Sequence, residues 1–318
     1  MSTSVTAKSS NELIVANDDA VAAQTNPAVM YLATLGSVQS RRVVQSRLSR
    51  FAKLLQLDDW RQIPWREFDR PWLLLAKEAL SVDQCSPDTI NAAISMLKGV
   101  ALQAWELKLI SDHRYLRIKN TKAIRGQRIP KRRWLDKKDI VSLLDQCLAD
   151  DRVQGLRDAA LLGLLYGCGL RRSEIVGIDI EHMNEKENAI RILGKGNKER
   201  IVYPPQRAWE MVSEWIKDGR GDDIGPLFCR IRKGGDVTTE RLTDQAVYYI
   251  MKRLILLTSV ENFSPHDLRG SFISYLLDNG EDIKTVADIV GHADVRTTAG
   301  YDRRGEQRKK VANRKIEF

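Results

Sequence analysis

The sequence of 318 residues has few of the residues that build metal sites and disulfide frameworks. Its four cysteines form no CxxC pair, and its four histidines form no HxH or HxxxH pair. The pattern therefore indicates neither a zinc finger, nor a disulfide framework, nor a histidine-based metal site. We expect no metal and no other cofactor. Cys147 and Cys168 lie in apolar helical stretches, so we predict that both are small buried hydrophobic residues.

Long apolar runs are missing as well. No run approaches the roughly 20 residues that a bilayer-spanning helix needs. The first residues do not combine a cationic region with an apolar one, as a secretory signal does. The sequence also has no GxxxxGK[ST] phosphate loop. These absences favour a cytoplasmic protein with no membrane partner.

Basic residues are in excess, with 51 Lys and Arg against 42 Asp and Glu and a net charge of +9. This balance favours a polyanionic partner. Over 114–133 nine basic residues occur without an acidic one, and Gly126 and Pro130 interrupt regular structure. We therefore predict an extended interdomain linker that neutralises DNA phosphates. Four of its basic residues are predicted to bind DNA: Arg128, Lys131, Arg132 and Arg133.

The first third of the chain is predicted to be a flexible leader over 1–28 and a small all-helical domain over 29–113. Ser40 is predicted to cap a helix over 41–57. Ser86 and Pro87 are predicted to start a second helix. The apolar stripes expected in the core are Val44, Leu48, Phe51 and Leu55 in the first helix, and Ile90, Ile94, Leu97, Ala101 and Trp105 in the second.

The helix over 41–57 has five cations and no acidic residue. Such a face is either a solvated amphipathic surface or a surface that faces DNA. We favour the second interpretation and predict that Arg41, Arg42 and Arg47 bind DNA.

Residues 134–318 are predicted to form a mainly helical α+β domain with a small antiparallel sheet. The strands are predicted over 189–193 and 200–203, joined by a turn over 194–199. Cap residues and apolar periodicity predict the helices. These helices begin near Asp136, Leu156, Gln206, Thr243, Ser264 and Asp282.

Short motifs in this second domain place cationic and proton-transferring side chains at helix ends and turns. Taken singly, each has an ordinary structural explanation, such as an ion pair between Arg171 and Glu174. Their order along the chain is more specific. The ordered set is GLRRSE (169–174), GKGNKER (194–200), HDLR (266–269), GH (291–292) and Tyr301.

This ordered set resembles the tyrosine recombinase, or phage integrase, family. The resemblance covers 134–301 by motif and 29–133 by architecture. It implies a helical core-binding domain and a catalytic domain that form a C-shaped clamp on DNA. The short leader is similar to that of the simple two-domain members, without an arm-binding domain. Two departures stand out, Gly270 in place of a larger residue and Asp302-Arg303 after the tyrosine.

The resemblance also implies the chemistry. Tyr301 attacks a backbone phosphate and leaves a 3′-phosphotyrosine and a free 5′-hydroxyl, without metal or ATP. Arg171 and Arg269 bind the non-bridging oxygens, because a planar guanidinium suits phosphate. His292 adds a hydrogen bond to the phosphate, and His266 assists proton transfer.

A lysine of the 194–200 turn is implied as the acid that protonates the leaving 5′-oxygen. We favour Lys195 by its motif position, with Lys198 as the alternative in the same turn. Glu174 is expected to hold the Arg171 region in place. The implied catalytic set is thus Arg171, Lys195, His266, Arg269, His292 and Tyr301, with no metal ligand.

The implied partner is a double-stranded recombination site, bound by a nucleoid-associated tetramer that integrates, excises or resolves a DNA element. Its subunits are expected to associate through the C-terminal tail over 303–318, and an accessory or second recombinase is a further expected partner. Two other functions fit parts of the pattern. One is a type IB topoisomerase-like nicking-closing enzyme, and the other is a non-catalytic sequence-specific DNA-binding protein.

Overall fold

The computed structural model describes residues 25–126, 133–194, 198–305 and 313–314. The chain divides into two compact units between Pro130 and Lys131. Most of the predicted leader lies outside the described residues. Its described end is already ordered, because Asn26 caps a helix that begins at Pro27.

Within its described residues, the first unit contains helices and no strand. Two short 3-10 turns, Trp60–Gln62 and Trp65–Glu67, carry aromatic side chains into its core, where Phe68 is fully buried. Its helices are α1 (Pro27–Ala33), α2 (Val38–Leu54), α3 (Arg70–Val82), α4 (Pro87–Glu106) and α5 (Asp112–Lys119).

The predicted start of α4 is confirmed, and the predicted start of α2 is wrong. Ser86 caps α4, with Pro87 in the first turn. In α2 the cap is Ser37 instead of Ser40, and the Ser37 hydroxyl accepts a hydrogen bond from the Ser40 backbone N–H at 3.1 Å. The helix therefore starts three residues before Arg41, since both serines can cap and the apolar spacing does not choose between them.

The predicted core stripes are buried with one clear exception. Val44, Leu48 and Phe51 are buried on α2, and Leu55 is half-buried. On α4, Trp105 is 37% exposed, so its assignment to the core is wrong. Its indole lies in the last turn, where it stacks on Tyr115 and donates to Asp112. The remaining stripe residues of α4 are buried, namely Ile90, Ile94, Leu97 and Ala101.

The predicted linker is not extended at its beginning. Arg114–Lys119 is the main part of α5, and Ile118 on this helix is fully buried. One apolar residue per turn is enough to fold the segment onto the domain despite its one-sided charge. Residues 120–126 then run alongside α4, because the Asn91 side chain forms two hydrogen bonds with the Ile124 backbone, at 2.8 and 3.0 Å. Residues 127–132 lie outside the described residues.

The second unit is built around α7, whose side chains are buried on nearly every face. Its described helices are α6 (Lys137–Leu148), α7 (Val153–Gly167), α8 (Arg172–Val176), α9 (Gln206–Trp215), α10 (Asp244–Leu257), α11 (Pro265–Asp278), α12 (Ile283–Val290) and α13 (Val295–Ala299). Thus the mainly helical prediction is confirmed. Cys147 and Cys168 are both buried, as predicted.

Two small antiparallel sheets complete this unit. The predicted hairpin pairs β2 (Ala189–Leu193) with β3 (Glu199–Val202), so Arg191 lies opposite Ile201. The sequence patterns did not predict the flanking strand β1 (Met183–Asn184) or the second hairpin, β4 (Cys229–Ile231) with β5 (Val237–Arg241). Within the described residues, no helix is both long and apolar enough to cross a membrane.

Candidate active site

Helix α11 carries two of the predicted catalytic residues on one face. Ser264 and Asp267 form a capping box that fixes the start of the helix. His266 therefore lies in the first turn, and Arg269 lies one turn later. Arg269 is 1% exposed, so α11 inserts a guanidinium into the interior of the unit.

Arg269 connects the ends of two other helices. Its Nη1 donates to the Gly169 carbonyl at 2.5 Å, and its Nη2 donates to the Val290 carbonyl at 2.7 Å. Gly169 has φ +58°, and a Cβ there would lie 2.4 Å from the Phe272 ring. Only glycine suits this position, because it both adopts left-handed backbone and allows the ring to approach. The first residue of the GLRRSE motif, Gly169, thus supplies a carbonyl that accepts a hydrogen bond from Arg269.

Three guanidinium groups surround one buried carboxylate, and we call these four residues (Arg171, Glu174, Arg200 and Arg269) the Glu174 cluster. Arg171 donates to Glu174 Oε1 at 2.6 Å. Arg200 binds both carboxylate oxygens, at 3.1 and 2.9 Å. Arg269 Nη1 lies 3.9 Å from Oε2. Three positive charges against one negative charge leave the cluster with two positive charges in excess, which makes it suited to bind an anion.

The electrostatics of the cluster follow from burial and pairing. Burial alone raises the pKa of Glu174, but hydrogen bonds from Arg200 and the Arg171 backbone outweigh it and lower that pKa to about 2. Burial, with the charge of Arg171, lowers the pKa of Arg269 to about 10. Glu174 is therefore ionised and Arg269 is protonated at neutral pH.

We expect Glu174→Gln to lower stability and to weaken its dependence on acid. The pKa of Glu174 is lower in the folded protein than in the unfolded chain. Its carboxylate therefore stabilises the fold above about pH 5, and this contribution is lost as pH falls towards 2. A shift of this size corresponds to about 3 kcal/mol. The free energy of unfolding in urea, measured from pH 7 to pH 3, tests the prediction.

The matched control is Glu187→Gln, which removes an exposed carboxylate in the β1–β2 turn. We expect its stability to follow that of the parent at every pH. A Glu174→Gln variant whose unfolding free energy still falls as steeply below pH 5 as the parent's contradicts the prediction.

Tyr301 lies beside α11, and its hydroxyl forms a hydrogen bond with a histidine. The Tyr301 oxygen is 2.8 Å from His266 Nε2. Its backbone is fixed on both sides, since its N–H donates to the Thr298 carbonyl at 2.9 Å and its own carbonyl accepts from Ser274 Oγ at 2.8 Å. Tyr301 is 2% exposed. A phenol held against an imidazole nitrogen can transfer its proton there as it becomes a nucleophile.

His292 covers the ring of Tyr301. It follows Gly291, which ends α12 in left-handed backbone, and its ring stacks on Tyr301 with centroids 6.1 Å apart. His292 Nδ1 is 2.8 Å from Thr298 Oγ1. Burial, followed by the charges of Arg269 and Arg171, lowers the pKa of His292 to about 4. This histidine is therefore neutral at pH 7, and the positive charge of the site comes from the arginines.

The structure brings five predicted catalytic residues into one region, and the predicted acid lies outside the described residues. Lys195 belongs to the undescribed interval 195–197. Lys198 is exposed, and its backbone carbonyl closes the turn by accepting from the Gly194 N–H at 2.7 Å. The choice between the two lysines stays a prediction. The five residues that the structure brings together are Arg171, His266, Arg269, His292 and Tyr301.

The predicted DNA-binding arginines differ in their availability. Arg42 is exposed, Arg47 is half-buried, and within the described residues neither side chain makes a hydrogen bond or ion pair. Arg41 donates from Nε to the Leu35 carbonyl at 3.0 Å. Arg133 pairs with two carboxylates, Asp139 at 3.2 Å and Glu261 at 2.6 Å. Arg128, Lys131 and Arg132 lie outside the described residues.

Sequence reasoning did not single out Arg200 as a site residue. Besides holding Glu174, its Nε donates to the Ile289 carbonyl at 3.0 Å, so it links β3 to the end of α12. Strand alternation gave a signal, because Arg200 shares the inward face of β3 with buried Val202, while Ile201 is exposed. An inward arginine on a strand needs a carboxylate partner, and Glu174 is that partner.

Among the described residues, no group of three or more His, Cys, Asp or Glu side chains lies close enough to hold a metal ion.

Comparison with known proteins gives a family match over the second unit. The sequence model of the phage integrase family matches residues 133–308. The tyrosine recombinase XerD of Pseudomonas aeruginosa is 34% identical over 182 residues, which are 55% of this chain and 58% of that protein. XerC of Corynebacterium glutamicum is 33% identical over 52% of this chain and 55% of that protein. The chain thus matches little more than half the length of these curated relatives.

Solved structures share the fold over most of the chain. The Tn1549 transposon integrase, solved with circular intermediate DNA, has a TM-score of 0.61 and 20% identity and covers 91% of this chain and 98% of its own. A lambda integrase dimer bound to a COC′ core site has a TM-score of 0.63 and 13% identity and covers 87% of this chain and 93% of its own. At these identities the likeness concerns the fold.

Proposed function

Because this chain belongs to the phage integrase family, we propose that it is a site-specific DNA recombinase that cuts and rejoins DNA through a 3′-phosphotyrosyl intermediate. One observation carries the proposal. The Tyr301 hydroxyl lies 2.8 Å from His266 Nε2, in a unit whose Glu174 cluster holds excess positive charge. A nucleophile, a proton acceptor and an anion-binding group are the components that phosphoryl transfer to a tyrosine requires.

The cleavage step follows from these positions. His266 accepts the phenolic proton as the Tyr301 oxygen attacks the phosphorus of the scissile phosphate. An oxygen–phosphorus bond to tyrosine forms, and the bond from phosphorus to the 5′-oxygen breaks. The cluster is built before DNA binds, so its charge stabilises the transition state without reorganisation. Arg171 is 36% exposed and is the guanidinium most open to the phosphate.

The leaving 5′-oxygen needs a proton, which we assign to Lys195, with Lys198 as the alternative. Rejoining reverses the sequence, as a 5′-hydroxyl attacks the phosphotyrosine and the Tyr301 oxygen recovers its proton. The phosphotyrosyl bond preserves the energy of the broken linkage, so the reaction needs no nucleotide cofactor.

Tyr301 lies in the interior of the unit. With 2% of the residue exposed, a phosphate reaches its hydroxyl only after the side chains that cover it move aside. We propose that DNA binding selects an arrangement in which the Tyr301 hydroxyl is uncovered and still contacts His266.

Product analysis tests the proposed function. We expect two plasmid-borne sites, taken from DNA that flanks the encoding gene and located by footprinting, to exchange strands. Relaxation of supercoils without exchange supports a topoisomerase instead. Binding without either product supports a non-catalytic DNA-binding protein and overturns the proposal.

We further propose that α2 contacts the DNA backbone. Replacing Arg42 and Arg47 together with Gln is expected to weaken binding of specific and non-specific duplexes alike. The slope of log K against log salt is expected to fall by about 2, because each lost phosphate contact removes roughly 0.9 from it. Fluorescence anisotropy over a salt series measures both quantities.

The control for this pair is Lys186→Gln in the second unit, where Glu185 and Glu187 flank the cation. We expect no change of salt slope there. An unchanged slope in the α2 double variant shows that this helix does not face phosphates.

The assembled form is proposed to be a DNA-bound tetramer in the cytoplasm, associated with the nucleoid, in which the tail over 303–318 docks on a neighbouring subunit. XerC and XerD are separate curated relatives, which supports a second recombinase as a further proposed partner. Arg303 folds back on α11, where it pairs with Asp278, and Arg304 pairs with the nearby Asp302. Most of the remaining tail lies outside the described residues.

A further inference from the structure

Trp134 is the second described residue after the interval 127–132, and it touches the nucleophile. Its ring and that of Tyr301 meet edge to face, with centroids 6.1 Å apart and planes at 81°. This arrangement is a favoured one for two aromatic rings. Trp134 is half-buried and packs with Tyr301 in a small apolar cluster, distinct from the large core around α7.

The same indole contacts the chain on the far side of the nucleophile. The Arg303 guanidinium carbon lies 5.0 Å from the centre of the Trp134 ring. Asp278 at the end of α11 pairs with that guanidinium at 2.8 Å. Trp134 therefore packs against Tyr301 and against the residue two positions later, so it contacts the nucleophile segment at two points.

The backbone around Trp134 is held firmly. Leu135 donates its backbone N–H to Ser271 Oγ at 2.8 Å, and Leu135 is buried. On the other side Arg133 is paired with Asp139 and Glu261. The indole thus belongs to a segment that is anchored on both sides. It can therefore fix the position of the Tyr301 ring that packs against it.

Gly270 makes room for this contact. A Cβ at Gly270 would lie 3.2 Å from Tyr301 Cε1 and 3.4 Å from Trp134 Cζ3. The missing side chain lets both rings approach the same turn of α11, the turn next to Arg269. The departure at Gly270 and the tryptophan at 134 are therefore two parts of one packing arrangement.

We propose that Trp134 is a positioning residue that sets the Tyr301 ring so that its hydroxyl meets His266. Trp134 directly follows the predicted linker over 114–133, so the nucleophile contacts the residue at which the predicted second domain begins. The inference rests on the proposed function, since it concerns the reactivity of Tyr301. No contact of Trp134 with substrate is implied.

Single-turnover formation of the covalent adduct tests the proposal, on a nicked suicide duplex carrying the footprinted site. Trp134→Ala is expected to slow the adduct by about 10- to 100-fold, since a displacement near 1 Å can cost that much. Duplex affinity is expected to stay within twofold of the parent. The acid limb of the pH–rate profile is expected to move, because the Tyr301–His266 contact is altered. Trp134→Phe keeps a ring edge and is expected to restore both rate and profile.

Two further variants keep the test decisive. Trp134→Leu fills apolar volume without a ring, so it is expected to slow the adduct even if the alanine variant folds poorly. Trp209→Phe alters the large core and leaves the Tyr301 cluster intact, so its rate per folded molecule is expected to equal that of the parent.

The two hypotheses fail in different ways. If the parent protein forms no adduct, the proposed function fails. If the parent forms the adduct and Trp134→Leu matches its rate and its acid limb, the positioning role is overturned while the function stands.

Discussion

Tyr301→Phe is expected to abolish covalent attachment to DNA while leaving the fold and DNA binding intact. The phenylalanine ring keeps the contacts with Trp134 and His292, and the hydrogen bond to His266 is lost. One such bond contributes about 1 kcal/mol to stability. Without the oxygen no phosphotyrosyl ester can form, so the loss of rate is roughly 10⁴-fold or more.

The measurement is adduct formation on the nicked suicide duplex, resolved on a denaturing gel. Tyr275→Phe is the matched control, because Tyr275 lies on α11 and is 57% exposed. We expect Tyr275→Phe to attach to DNA as the parent does. A denaturant-stable adduct that persists in Tyr301→Phe identifies a different nucleophile and contradicts the assignment of Tyr301.

Arg269→Ala is expected to lower the cleavage rate by about 10²- to 10³-fold, the usual loss when one preorganised donor of a transition state is removed. It is also expected to destabilise the protein. The carbonyls of Gly169 and Val290 lose their donor, and the Glu174 carboxylate loses a neighbouring positive charge. Both effects arise because a single 1%-exposed guanidinium serves the fold and the site together.

Arg269→Lys separates charge from geometry. An ammonium keeps the positive charge but cannot reach two carbonyls at the ends of two helices as the planar guanidinium does. We therefore expect the lysine variant to recover only a small part of the rate. Arg152→Ala, which breaks an exposed ion pair with Asp150, is the control and should cleave normally. An Arg269→Ala protein that is less stable but cleaves within threefold of the parent assigns Arg269 a structural role alone.

Local signals in the sequence located most of the elements of the second unit. Thr243, Asp136 and Asp282 each cap the helix that was expected after them. The hairpin of β2 and β3 was predictable from two apolar runs around a glycine-rich turn. Helix caps and turns depend on contacts between residues three or four positions apart, so a short stretch of sequence is enough to predict them.

The prediction of an extended linker, which rested on its one-sided charge, is wrong at the beginning of that segment. The basic run from Arg114 suggested an extended chain, and yet α5 folds on the first unit because Ile118 is buried there. Lys98 adds hydrogen bonds to the carbonyls of Lys119 and Thr121, at 2.8 and 2.5 Å, which anchor the end of that helix. Such contacts come from α4, which precedes the linker, and no pattern within the linker records them.

The sequence by itself determined the chemical components, namely a tyrosine, two histidines and the arginines of the ordered motifs, together with helix α11, which carries His266 and Arg269. Only the tertiary structure decided that Arg200 completes the Glu174 cluster, that Arg269 bridges two helix ends and that Trp134 contacts Tyr301. The physical reason is separation along the chain. Glu174 and Arg200 are 26 residues apart, and Arg269 and Gly169 are 100 apart, so their pairing depends on how the helices pack.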